Sequence, residues 1–115
     1  MEPQSADIIL YNVTMDNNRR QGLSITDGKR MKILNSTFKN TNGHMPQAGI
    51  DIEPNPSRTI TDIEIRNNTF ENNASFGVVV SGGQFNRDTE EGRKYADTIT
   101  RNILVLDNTF TNNTE

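Results

Sequence analysis

Residues 65–73 read Ile65-Arg66-Asn67-Asn68-Thr69-Phe70-Glu71-Asn72-Asn73, and the same nine-residue pattern stands at three other places in the chain. The other copies are Leu10-Tyr11-Asn12-Val13-Thr14-Met15-Asp16-Asn17-Asn18, Ile33-Leu34-Asn35-Ser36-Thr37-Phe38-Lys39-Asn40-Thr41 and Val105-Leu106-Asp107-Asn108-Thr109-Phe110-Thr111-Asn112-Asn113. In each, an apolar residue opens the pattern, Asn or Asp stands two places on, and Phe or Met follows three places later. A short unit that keeps its apolar and small positions in register is stacked on copies of itself, because one copy alone cannot bury its apolar face.

Just upstream of the copies stand Ile8, Met31, Ile63 and Ile103, each two residues before the opening apolar residue. That alternation marks a short strand with one face inward. The Asn or Asp then makes a sharp corner, and a second short strand returns Met15, Phe38, Phe70 or Phe110 to the interior as a stacked core column. After the first three copies a third strand follows, at Gly22-Leu23-Ser24-Ile25, Gly49-Ile50-Asp51-Ile52 and Gly77-Val78-Val79-Val80. Corner residues are 23 positions apart from Asn12 to Asn35, then 32 to Asn67 and 40 to Asp107, so the later coils carry inserted loops. These fall near residues 42–47, 53–62 and 82–98. The last, with Gly82-Gly83 and a charged run from Arg87 to Lys94, reads as an exposed loop with a helical turn.

With 115 residues, 31% of them apolar, the chain suits one domain with a narrow core column. A formal net charge of -3 with scattered basic residues gives no footprint for nucleic acid or an anionic membrane. The apolar run Ile8 to Leu10 is far too short to span a membrane or to serve as a signal core, and the chain has no cysteine for disulfides or thiolate metal sites.

Three short strands per coil of about 22 residues with a corner asparagine resemble the right-handed parallel β-helix of the pectate-lyase-like superfamily. The expected fold is therefore all-β: a right-handed parallel β-helix, or solenoid, of about four coils. Leucine-rich repeats place their asparagine one residue further along and do not fit. The resemblance implies an internal asparagine ladder at Asn12, Asn35, Asn67 and Asp107, with backbone in the left-handed conformation that Asn tolerates. On that basis the sequons at Asn35 and Asn67 lie inside and are closed to glycosylation. Because no Gly strand follows the fourth copy, residues 1–115 are expected to be one segment of a longer β-helix.

For function, the resemblance implies a carbohydrate-associated domain that binds polysaccharide and, if it is active, cleaves it in the manner of a lyase or glycoside hydrolase. The Gly22, Gly49 and Gly77 strands then floor the cleft. With Ile50 and Ile52 inward, Asp51 and Glu53 point outward, roughly 7 Å apart along the strand. Neighbouring coils place Ser24 and Thr26 on one side of them and Val79 and Ser81 on the other. Asp51 and Glu53 are the catalytic candidates, since glycoside hydrolysis takes two carboxylates. His44, the only histidine, joins them as an acid or base from the inserted loop. Arg19 and Arg20 approach the preceding strand, where arginines of the family serve as base or bind a sugar carboxylate. Gln47 and Lys29 are the outer rim candidates. Calcium is the cofactor the resemblance suggests, although no metal-ligating motif marks a site. The rival class is a non-catalytic structural or adhesin β-helix, as in phage tail spikes and surface proteins. Either domain would work outside the cell, at a cell surface or on a virion, and either could form homo-oligomers or stack on the rest of a longer helix.

Overall fold

The computed structural model describes residues 3–81, 88–95 and 97–114. The first coil holds β1 (Ala6–Tyr11), β2 (Thr14–Asp16) and β3 (Gln21–Ile25), and the second holds β4 (Gly28–Leu34), β5 (Thr37–Lys39) and β6 (Ala48–Ile52). The third holds β7 (Thr59–Arg66), β8 (Thr69–Glu71) and β9 (Val78–Val80). A fourth contributes β10 (Ile99–Leu106) and β11 (Thr109–Thr111). Equivalent strands stack into three sheets, β1-β4-β7-β10, β2-β5-β8-β11 and β3-β6-β9, with every pairing parallel. This is the expected parallel β-helix.

The register follows the repeat. Leu10, Ile33, Ile65 and Val105 lie opposite one another, as do Met15, Phe38, Phe70 and Phe110. Phe38 stacks on Phe70 at 5.2 Å between ring centroids and Phe70 on Phe110 at 4.9 Å, which is the spacing the stacked coils impose on any residue repeated once per turn. The rings have room because a glycine column faces them. A Cβ built on Gly49 would lie 2.6 Å from the Gly77 carbonyl oxygen and 2.8 Å from a Phe70 ring carbon.

The corner residues Asn12, Asn35, Asn67 and Asp107 adopt φ of 57°, 49°, 58° and 56°, the left-handed backbone that the resemblance implied. Two further left-handed columns flank them at five-residue intervals: Asp7, Arg30, Asp62 and Asn102 before, and Asn17, Asn40, Asn72 and Asn112 after.

The ladder itself is displaced by one residue from the positions assigned in the sequence. Asn12, Asn35, Asn67 and Asp107 are exposed, and the rungs are Ser36, Asn68 and Asn108. The Asn68 carboxamide oxygen accepts the Ser36 N–H at 2.9 Å, and its amide donates to the Ile33 carbonyl at 2.9 Å. Asn108 repeats this one coil on, accepting from the Asn68 N–H at 2.8 Å and donating to the Ile65 carbonyl at 2.9 Å. A second ladder runs through Thr41, Asn73 and Asn113. The cause is the corner: the left-handed residue turns the chain with its own side chain on the convex side, and the residue after it is aimed back inside. Consequently the sequon asparagines Asn35 and Asn67, expected inside, are exposed.

In the third insertion, residues 82–87 and 96 lie outside the described residues. Beyond them stands the helical turn α1 (Glu90–Arg93), capped by Thr89, whose hydroxyl accepts the Gly92 N–H at 3.0 Å. No helix among the described residues is long and apolar enough to cross a membrane.

Candidate functional site

Strand β6 positions the two predicted carboxylates. Its Ile50 and Ile52 are fully buried in the core, which turns Asp51 to the outer face of the β3-β6-β9 sheet, between Ser24 and Val79 of the neighbouring coils. Asp51 is nevertheless only 3% exposed, so it is not a solvated residue on a bare sheet. Glu53, just past the strand, is half-buried, its N–H bonded to the Ile25 carbonyl at 3.0 Å.

The first insertion walls this region. The Asn42 N–H donates to the Asn18 carbonyl at 3.0 Å and the His44 N–H to the Arg19 carbonyl at 2.8 Å, which binds the loop to the first coil. On the other side, the Ser75 N–H donates to the Gln47 carbonyl at 3.2 Å, which fastens it to the third coil. Between these ties lies the cis Met45–Pro46 peptide. The result is a hollow of about 330 Å³ to which three coils contribute: Arg20 from the first, Met45, Pro46, Asp51 and Glu53 from the second, and Phe76, Val79 and Ser81 from the third.

The electrostatics centre on Asp51. Burial pushes its carboxyl above the ordinary carboxylate range, and the charge of Glu53 pushes the same way, against the opposing pull of the Arg20 guanidinium and a Ser81 hydrogen bond. One Asp51 oxygen, Oδ1, is buried without a hydrogen-bond partner. The site thus offers a carboxyl that keeps a proton more readily than most, an acidic neighbour and a guanidinium, set among apolar side chains.

The structure gathers Asp51, Glu53 and Arg20 and leaves the other sequence candidates outside the hollow. His44 is exposed, with its Nε2 3.2 Å from Arg19 Nη2. Because a guanidinium only donates, that ring nitrogen is the acceptor. His44 and Arg19 therefore satisfy each other at the loop surface. Gln47 takes the left-handed conformation at φ 57° where the loop re-enters β6. Lys29 belongs to a different sheet, on β4, where its N–H bonds the Ser5 carbonyl at 3.0 Å. The walls Met45, Pro46 and Phe76 were not among the sequence candidates. Their signal was an apolar pair inside an otherwise polar inserted loop, and an aromatic residue directly before a repeat glycine.

Calcium does not suit this donor set. Two carboxylates and a hydroxyl fall short of the six to eight oxygens calcium takes, and the Arg20 guanidinium occupies the electrostatic role of a cation. Among the described residues no group of three or more His, Asp or Glu side chains converges for a metal.

A family model described as "Right handed beta helix region" matches residues 3–93. Searches of curated proteins and of solved structures return no match.

Proposed function

The chain belongs to the right-handed β-helix family, and from that premise we propose that it is a carbohydrate-associated domain whose hollow beside β6 binds a short stretch of polysaccharide. The observation that carries this is the convergence of Asp51, Glu53 and Arg20, from two coils, in one hollow with apolar walls. Sugar rings offer hydroxyls to carboxylates and apolar C–H faces to side chains such as Phe76 and Met45. A uronate adds a carboxylate that the Arg20 guanidinium can bind through paired hydrogen bonds. In a cleavage reaction, Asp51 is the proton donor to the glycosidic oxygen, because its environment favours the protonated form, and Glu53 activates the attacking water or abstracts a sugar proton. A domain of this kind works outside the cell, at a cell surface or on a virion.

The burial of Asp51 favours a second role, in which the carboxyl and Ser81 fasten neighbouring coils of a non-catalytic shaft or adhesin. Titrating neutral and acidic oligosaccharides into the wild-type chain, Asp51→Asn and Arg20→Ala, with product analysis of the same mixtures, separates the two. Saturable binding weakened by both substitutions supports the carbohydrate site. Absence of binding, or binding equal in all three proteins, removes it and leaves the structural role.

A further inference from the structure

A second and larger hollow, about 540 Å³, lies on the outer face of the β1-β4-β7-β10 sheet, and none of the sequence-predicted site residues lines it. Ile9, Lys32, Glu64 and Leu104 stand there in register, one per coil. Read along the stack, this row is apolar, positive, negative, apolar. The adjoining row runs Asp7, Arg30, Asp62, Asn102, and in it Arg30 is already paired with Asp7 of its own chain at 2.6 Å. Ile9 and Leu104, on the two outer coils, are 65% and 46% exposed and bracket the two charged residues.

We propose that this face is a two-fold interface between two copies of the chain. A two-fold axis parallel to the strands and passing between β4 and β7 reverses the coil order of the facing copy. It sets Ile9 against the partner's Leu104 and Lys32 against the partner's Glu64, each pairing occurring twice, while Arg30 stays paired with Asp7 of its own chain as it approaches the partner's Asp62. Such self-complementarity is what an isologous contact requires. Within the chain Glu64 binds Arg66 at 3.0 Å through one oxygen and lies 4.0 Å from Lys32 through the other, so association brings the partner's Lys32 to a carboxylate that already bridges two cations. The hollow between the apolar ends accommodates the long basic side chains.

A two-fold parallel to the solenoid axis keeps the coil order and opposes Lys32 to Lys32 and Glu64 to Glu64, which is repulsive. Head-to-tail stacking would interrupt the first ladder, where Asn108 meets Val13, but could continue the second, where Asn113 meets Asn18, so it is the alternative the experiment must separate. The face measures about 20 Å by 20 Å from strand spacing and rise, or about 400 Å² per copy. Both copies together bury about 800 Å², less than the roughly 1,000 Å² of a stable specific interface, so the dimer is a weak, transient one that forms only at about 100 μM or above.

Sedimentation velocity of the full chain from about 10 μM to about 1 mM tests this. Wild type shifts from monomer to dimer and no further, and added salt weakens the shift. Lys32→Glu, with circular dichroism confirming its fold, raises the dissociation constant at least about 10-fold. The exchanged variant K32E/E64K restores association, because it keeps opposite charges facing each other. A monomer throughout the range overturns the proposal. So does self-association that grows past the dimer and is indifferent to Lys32→Glu, the behaviour of copies joined end to end.

Discussion

The carboxamide oxygen of Asn68 accepts the backbone N–H of Ser36 from the preceding coil at 2.9 Å, while Asn67 beside it is exposed at the left-handed corner. Adjacent asparagines of one motif therefore hold separate jobs. Asn68→Ala leaves the Ser36 N–H and the Ile33 carbonyl without partners in the interior, at a cost of about 2–5 kcal/mol. Asn67→Ala costs about 1–2 kcal/mol through the left-handed backbone alone, and Asn67→Gly costs almost nothing. Urea unfolding of the three variants checks the order; equal losses at both positions would contradict the displaced ladder.

The glycine column predicts a second contrast. At Gly49 an added Cβ meets the Gly77 carbonyl oxygen at 2.6 Å, and backbone of a stacked coil cannot yield without disturbing the register. At Gly77 the closest atoms belong to the Phe110 ring, at 2.5 Å, and Phe110 is 50% exposed on the fourth coil. Gly49→Ala is expected to lose about 1–3 kcal/mol and Gly77→Ala visibly less, because that ring has room to swing away. Thermal melts of the pair measure the difference.

Asp51 makes stability depend on pH in a direction opposite to a salt-bridged carboxylate. Its folded carboxyl titrates above the ordinary value of 3.8, so between 3.8 and that raised value the folded state holds more proton than the unfolded one. Stability from this group is full below the ordinary value and falls as pH rises through the folded one. Asp51→Asn should flatten that fall and be the more stable protein near neutrality. Unfolding free energies collected from about pH 3.5 to pH 7 decide it, and an unchanged slope in Asp51→Asn would assign the effect elsewhere.

In the hollow beside β6, Arg20 and His44 should behave differently although both were legible as candidates. Arg20→Ala removes the one guanidinium among the lining residues and is expected to weaken binding of an acidic oligosaccharide about 10-fold or more. His44→Ala, altering a side chain paired with Arg19 at the loop surface, should stay within about two-fold. Calorimetric titration with a uronate oligomer distinguishes them.

What could be anticipated of the site followed from alternation. With Ile50 and Ile52 inward, Asp51 had to face out, and equal strand positions had to bring Val79 alongside. What could not be anticipated was the path of the first insertion. Its ties to Arg19 on one coil and to Ser75 on another are long-range backbone hydrogen bonds, and no local pattern announces them. Those ties bury Asp51, bring Met45 and Pro46 to the wall and carry His44 away to Arg19.

The sequence by itself determined the solenoid, since a period of apolar residues has only one way to bury each copy: against the next. It also determined the phenylalanine column and the left-handed corners, because ring, glycine and asparagine each answer a steric demand repeated once per coil. Tertiary structure alone decided which asparagine of Asn67 and Asn68 enters the ladder, which loop residues meet Asp51, and which charges of separate coils stand side by side. These depend on the turn of the backbone at each corner and on contacts between residues 23 to 43 positions apart, where the orientation of a side chain is set by the coil it lands on.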